Sequence, residues 1–176
     1  MDQKIEAEIV AKVLKGDRKA YALLVEEYKS PLYNLAYRMT GNFEDADDLT
    51  QEAFIRAYQY LWRYDPRKKF FTWLYTIALN LIKNHYKKNR KHNISKELSA
   101  YLLADNSPSP ETKMIEAQEI SSCLLRLEYE IRALLIMKYQ QELSFEEIAE
   151  ITGKSLSAVK MSIYRGLDHL KKLMKE

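Results

Sequence analysis

The segment LSFEEIAEITGKSLSAVKMSIYRGLDHLKKL, residues 143–173, leaves this chain few folds to choose from. Ser144 and Glu147 stand three apart, the spacing of a capping box in which a hydroxyl and a carboxylate each satisfy a free backbone N–H. The helix that follows carries Phe145, Ile148, Ala149 and Ile151. Gly153 then supplies a corner, because without a Cβ it reaches positive φ at little cost. Ser155 caps a second helix in which Leu156, Val159, Ile163, Leu167 and Leu170 turn inward. A small residue (Ala149), a turning glycine (Gly153) and an aliphatic plug (Val159) are what a helix-turn-helix requires. The preceding apolar run Leu134, Leu135, Ile136, Met137 offers the packing such a unit needs.

The outward face of the second helix holds Ser157, Ala158, Lys160, Met161, Ser162, Tyr164 and Arg165. Recognition helices place the N-terminal part of that face in the major groove of DNA. Ser157, Ala158, Met161, Ser162 and Arg165 are therefore expected at base edges, and Lys154, Lys160 and Tyr164 at phosphates. The bland alternative is a helical hairpin with a solvated polar face. Three matched positions together with the caps favour DNA.

Upstream the pattern is helical as well, and the whole chain has only four Gly and four Pro, so the expected fold class is all-α. Ile5, Ile9, Val13 and Leu14 share a face that ends at Gly16. Asp17 caps the next helix, with Tyr21, Leu24, Val25 and Tyr28, and Pro31 marks a helix start or kink before Leu32, Leu35, Ala36 and Met39. Asn42 opens a further helix with Ala46, Leu49, Ala53, Ala57 and Leu61 inward. From about residue 92 to 112 the period is lost and two prolines appear, the character of a tether. Ser109, Pro110 and Glu111 read as a helix start. Two small helical domains are expected, 1–92 and 112–176, with a flexible linker over 93–111.

Net charge is only +3, but its distribution is uneven: Glu44, Asp45, Asp47, Asp48 and Glu52 are acidic, and the stretch from Lys83 to Lys91 is basic. Such a chain can serve two different partners. The single cysteine, Cys123, excludes an internal disulfide and a multi-cysteine zinc cluster, and its apolar surroundings suit a small buried hydrophobe. The N-terminus has no signal-peptide core, and no run of about 18 apolar residues exists, so a soluble, cytoplasmic chain without membrane insertion is expected. His85, His92 and His169 assemble no nucleophile or metal constellation, and no nucleotide-binding signature is present. Neither catalytic residue, metal ligand nor cofactor is expected.

The stretch KKFFTWLYTIALNLIKNHYKKNRKHN, residues 68–93, crowds Phe70, Phe71, Trp73 and Tyr75 at one end of a helix and cations at the other. A membrane surface, a partner helix or a nucleic acid can use such a segment. A membrane helix needs rings and cations on opposite faces along its whole length, which is not the arrangement here. Leu74, Ile77, Ala78 and Leu81 form a core stripe, and Trp73 can close that core. Tyr75, Thr76, Leu79, Asn80, Lys83, Asn84 and Lys87 lie on the other face. Lys83 and Lys87 stand one turn apart, able to follow a phosphate strand, while Asn80 and Asn84 can donate to and accept from a base edge. Rings beside a cationic track suit single-stranded nucleic acid, where stacking contributes about 1–3 kcal/mol per base. A chain joining a duplex reader to a single-strand binder must meet DNA that is partly melted.

Taken together, DADDLTQEAFIRAYQYLWRY (45–64), FFTWLYTIALNLIKN (70–84) and the helix-turn-helix segment (143–166) resemble, in order and spacing, the extracytoplasmic-function (ECF) sigma factors of bacterial RNA polymerase. The resemblance covers nearly the whole chain except the linker. It implies that residues up to about 92 bind and melt the −10 promoter element and that residues from about 112 read the −35 element. It also implies that Asp48, Gln51 and Glu52 dock on a coiled coil of the polymerase β′ subunit, with the β flap as a second contact. Tyr64, Phe70, Phe71, Asn80, Lys83 and Asn84 fall where the family captures a flipped −10 base, a step whose cost of a few kcal/mol a stacking pocket offsets. An anti-sigma factor is an implied partner. The sequence departs from the family pattern at Leu127-Glu128, where a Leu-Pro turn is common and a continuous helix is therefore expected. Glu142 stands where Gly is frequent, and Met161-Ser162 and Leu167 replace common Ser-Arg and Arg residues.

Two rival readings use the same residues. A stand-alone helix-turn-helix regulator would bind promoter DNA without polymerase, and an RNA-binding or anti-termination factor would bind RNA strongly.

Overall fold

A computed structural model describes residues 1–90 and 120–175. The expected linker over 93–111, and the helix start at Ser109, lie outside these residues. Helix α1 spans Gln3–Leu14, with the Asp2 carboxylate accepting the Lys4 N–H. The Asp17 carboxylate caps a short 3-10 turn, Arg18–Ala20, that leads into α2, Tyr21–Thr40. Pro31 neither starts nor ends a helix: it lies inside α2. A proline forfeits one backbone hydrogen bond there, and the fully buried Leu24, Leu32 and Leu35 hold the helix together across the gap.

Gly41, at φ 71, closes α2, and Asn42 opens α3, Phe43–Gln59, by accepting the Asp45 N–H. Ala46, Ala53 and Ala57 on α3 are fully buried, so their small side chains admit α2 closely. A 3-10 turn, Leu61–Arg63, and the loop 64–69 lead into α4, Phe70–Arg90. These four helices form the N-terminal bundle, its core filled by Leu24, Leu35, Met39, Phe70, Leu74 and Ile82.

In the C-terminal part, helical residues 120–126 (α5) precede α6, Tyr129–Tyr139, α7, Phe145–Thr152, and α8, Leu156–Leu173. The continuous helix expected through Leu127-Glu128 is not formed. Glu128 takes φ −56 and ψ 141, the conformation a proline would impose, and the chain breaks there. A tertiary contact stabilises the break: the buried Arg132 guanidinium donates to the Leu125 and Leu127 carbonyls, at 2.5 and 3.0 Å, that α5 leaves free. The capping box at Ser144 and Glu147, the Ser155 cap and the left-handed Gly153 at φ 67 are all present.

The two parts are not held apart. Helix α6 packs on α2 and α7 on α4, and one hydrophobic cluster runs through both bundles. The same Arg132 also donates to the Met39 carbonyl at the end of α2, at 2.8 Å.

Candidate nucleic-acid interface

Val159 and Ile163 are fully buried between α7 and α6, which fixes the rotation of α8 about its axis. Ser157, Ala158, Lys160, Met161, Tyr164 and Arg165 are consequently exposed and Ser162 half-buried. Met161 and Tyr164 are over half exposed, unusual for apolar bodies on a helix with no neighbour across from them. Lys160 Nζ lies 5.5 Å from the Phe145 ring centroid. Lys154, at the corner, is half-buried and its Nζ lies 2.6 Å from Glu130 Oε2.

On α4, Leu74, Ala78 and Leu81 are buried as the stripe requires, and Ile77 is partly so. Asn80, Asn84 and Lys87 are exposed and Lys83 half-buried, its Nζ 3.7 Å from Glu130 Oε1. Asn80 borders a groove between the bundles lined also by Lys83, Tyr129, Glu130 and Lys154.

The rings divide differently from the sequence reading. Phe70 is fully buried and Tyr64 nearly so, packed on each other at 5.5 Å between centroids, with Tyr28 and Trp73 around Phe70. Both are core, not rings held out for a base; the local pattern placed them beside the cations, but the bundle turns them inward. Burial lifts the Tyr64 hydroxyl to about 12, and that hydroxyl donates to the Lys68 carbonyl at 2.6 Å, shaping the loop. Tyr75, expected on the open face, is only 2% exposed; its hydroxyl donates at 2.9 Å to Gln141 Oε1, in the loop between α6 and α7. Phe71 and Trp73 remain half-exposed.

One group at this site went unread in the sequence. Glu6 on α1 is 1% exposed, accepts from the Tyr28 hydroxyl, and accepts the Phe70 N–H at 2.8 Å. That N–H begins α4, so a side chain from 64 residues away caps the helix. No local signal announces it, since Glu6 sits in an amphipathic helix like any surface acid.

On α3, Asp48 and Gln51 are exposed and Glu52 half-buried, paired with Arg56 at 2.6 Å. With Asp45, Leu49, His85 and the exposed Ile55 they line a shallow concavity. Glu44 and Asp45 lie in the first turn of α3, where acids favour the helix dipole. Ile55 extends the acidic face one turn further with an apolar contact that the sequence reading did not include. Trp62 is 67% exposed, and the Arg63 guanidinium lies 5.1 Å from its ring centroid.

Among the described residues no cluster of His, Cys, Asp or Glu is arranged to hold a metal ion, and no helix is long and apolar enough to cross a membrane.

Comparison with known proteins finds the Sigma-70 region 2 family over residues 24–92 and the Sigma-70, region 4 family over residues 117–170. The ECF RNA polymerase sigma factor SigW of Bacillus subtilis is 36% identical, over 95% of this chain and 95% of its own. The ECF RNA polymerase sigma-E factor of Escherichia coli K12 is 32% identical, over 93% of this chain and 91% of its own. Among solved structures, CnrH in complex with the cytosolic domain of CnrY shares the fold, with a TM-score of 0.75, 23% identity and 97% coverage of both chains. The sigma factor RpoE from Bartonella quintana, in complex with the anti-sigma factor NepR, has a TM-score of 0.72 at 20% identity, over 89% of this chain and 98% of that one.

Proposed function

This chain belongs to the ECF RNA polymerase sigma factors, and from that premise we propose that it is a non-catalytic subunit that joins core polymerase and directs it to promoters. Residues 1–92 act as the unit that binds core and opens the −10 element, and residues 112–176 as the unit that reads the −35 element. The observation that carries this reading is the outward face of α8, where base-reading and phosphate-binding side chains stand exposed around the buried Val159 and Ile163.

Ser157, Ala158, Met161, Ser162 and Arg165 meet base edges, and Lys160, Lys154 and Tyr164 hold phosphates. On α4, Asn80 and Asn84 read the edge of an extruded base, Lys83 and Lys87 follow the strand, and Phe71 and Trp73 offer partly open rings for stacking. Phe70 and Tyr64 support that surface from beneath. The acidic face of α3, with Asp48, Gln51, Glu52 and Ile55, docks on the basic β′ coiled coil, and the α8 bundle on the β flap. Since one solved neighbour, RpoE from Bartonella quintana, is a sigma factor in complex with an anti-sigma factor, an anti-sigma partner is part of the proposal.

Capture of the purified chain by core RNA polymerase tests the reading. Wild-type chain is retained and Asp48→Arg is released, because the reversal sets a cation against a basic partner. Retention of both alike, or of neither, refutes it.

A further inference from the structure

The C-terminal bundle lies against α4 beside Lys83, one of the proposed strand-binding lysines, and meets it and the loop before α4 with carboxylates. Glu130 stands between the two readers: Oε1 is 3.7 Å from Lys83 Nζ on α4, and Oε2 is 2.6 Å from Lys154 Nζ at the helix-turn-helix corner. Glu147 Oε1 is 2.6 Å from Lys69 Nζ, and Glu150 Oε1 is 3.0 Å from Lys68 Nζ, on the loop that leads into α4. Carboxylate oxygens offer an ammonium the same charge-assisted acceptors as a phosphate does. We infer that the C-terminal bundle is a built-in competitor of DNA, its Glu130, Glu147 and Glu150 standing as phosphate surrogates on Lys83 of the proposed strand surface and on Lys69 and Lys68 just before it. The inference rests on the assignment of Lys83 to DNA made above.

The register of docking is set by directional bonds, not by the ion pairs. The Tyr129 hydroxyl donates to the Leu79 carbonyl at 2.8 Å, and the Tyr75 hydroxyl to Gln141 Oε1 at 2.9 Å. Arg132 donates to the Met39 carbonyl at 2.8 Å. These contacts hold Glu130 over the groove beside Asn80 and cover Tyr75. The ion pairs are half-exposed, so each contributes little to stability and yields to salt or to a competing polyanion. In the closed chain a phosphate strand finds Lys68, Lys69 and Lys83 already engaged. In the open chain the same charges face solvent and cost nothing to recruit.

The test uses the full chain and a fluorescein-labelled oligo(dT) of about 20 nucleotides at low salt. Glu130→Gln/Glu147→Gln/Glu150→Gln is compared with a variant of equal charge, Glu8→Gln/Glu44→Gln/Glu146→Gln, whose acids are exposed and take no part in these ion pairs. Glutamine at 147 preserves the capping box. The first variant is expected to bind the oligonucleotide about tenfold more tightly than the second, and to show a larger radius of gyration by small-angle X-ray scattering. Adding Lys69→Ala/Lys83→Ala to it should remove most of that gain. Equal affinities of the two charge variants, an unchanged radius, or a gain that survives loss of both lysines would each overturn the inference. Core polymerase capture is read separately through Asp48→Arg, on α3, an element that carries none of these glutamates. A failed mask with capture intact therefore leaves the initiation reading standing, whereas lost capture sinks that reading first.

Discussion

At φ 55, Glu142 occupies the left-handed region, where a Cβ crowds the neighbouring carbonyl, and among the described residues no other non-glycine does so. The conformation has a purpose: it turns the chain out of α6 so that the Leu143 N–H reaches back to the Met137 carbonyl at 3.0 Å. The family pattern that places glycine here thus has a physical cause, and this chain departs from it at a cost. Glu142→Gly removes a strain of about 1–2 kcal/mol and adds about 0.5–1 kcal/mol of unfolded-state entropy. A net stabilisation of roughly 0.5–1 kcal/mol is expected, read as a higher denaturation midpoint. A lower midpoint would show that the Glu142 side chain contributes more than its strain costs. What was legible at this scale was local chemistry. Asn42, Ser144 and Ser155 cap helices because a short polar side chain reaches an N–H two or three residues on, whatever lies elsewhere. Glu128 was illegible because glutamate is a good helix former, and only Arg132 and the end of α2 make the break favourable there.

Helix α4 shows how an element can be recognised correctly and its faces misjudged. Its period, its length and its cationic end follow from spacing, and the core stripe of Leu74, Ala78 and Leu81 is buried. The fates of its aromatics do not follow, because a ring at the start of a helix packs wherever the rest of the bundle leaves room. Tyr28, Tyr64 and Trp73 close over Phe70, and the loop after α6 reaches Tyr75 through Gln141, contacts that span up to 66 residues. The start of α4 depends on Glu6 in the same non-local way. With Glu6→Ala, the Phe70 N–H is left buried without its acceptor, a loss of about 1–3 kcal/mol. Amide hydrogen exchange should speed up at residues 70–73 more than in the middle of α2. Glu6→Gln, which keeps an acceptor, should restore much of the protection. Uniform loss of protection across the bundle in both variants would mean that Glu6 serves the core generally and not the first turn of α4.

For the whole molecule, part of the docking, the ion pairs of Glu130, Glu147 and Glu150 with lysines of the N-terminal bundle, depends on pH. A hydrogen bond from Lys154, helped by Lys83, holds the Glu130 carboxyl below the ordinary glutamate value of 4.5. At Glu147, partial burial pushes the carboxyl up, but the Lys69 ammonium and the Ser144 N–H and hydroxyl outweigh it, and the net shift is downward. Lys69 is raised in turn by its bond to Glu147. Carboxyls lowered by docking bind protons more readily when undocked, so acid favours separation. The stabilisation from these pairs is complete above the ordinary value of 4.5 and is lost as pH falls below it through the lowered docked values. Scattering measured from about pH 7 down to about pH 3 should therefore show the chain expanding at the acid end, below the ordinary glutamate value, while helical circular dichroism persists. The Glu130→Gln/Glu147→Gln/Glu150→Gln variant, already relieved of these charges, should show an expanded radius at neutral pH with little further change. Parallel expansion of both chains would move the acid-sensitive groups elsewhere in the fold. An open state reached by acid, by charge removal and by a competing polyanion alike would identify one equilibrium behind all three, with Lys68, Lys69 and Lys83 released in each.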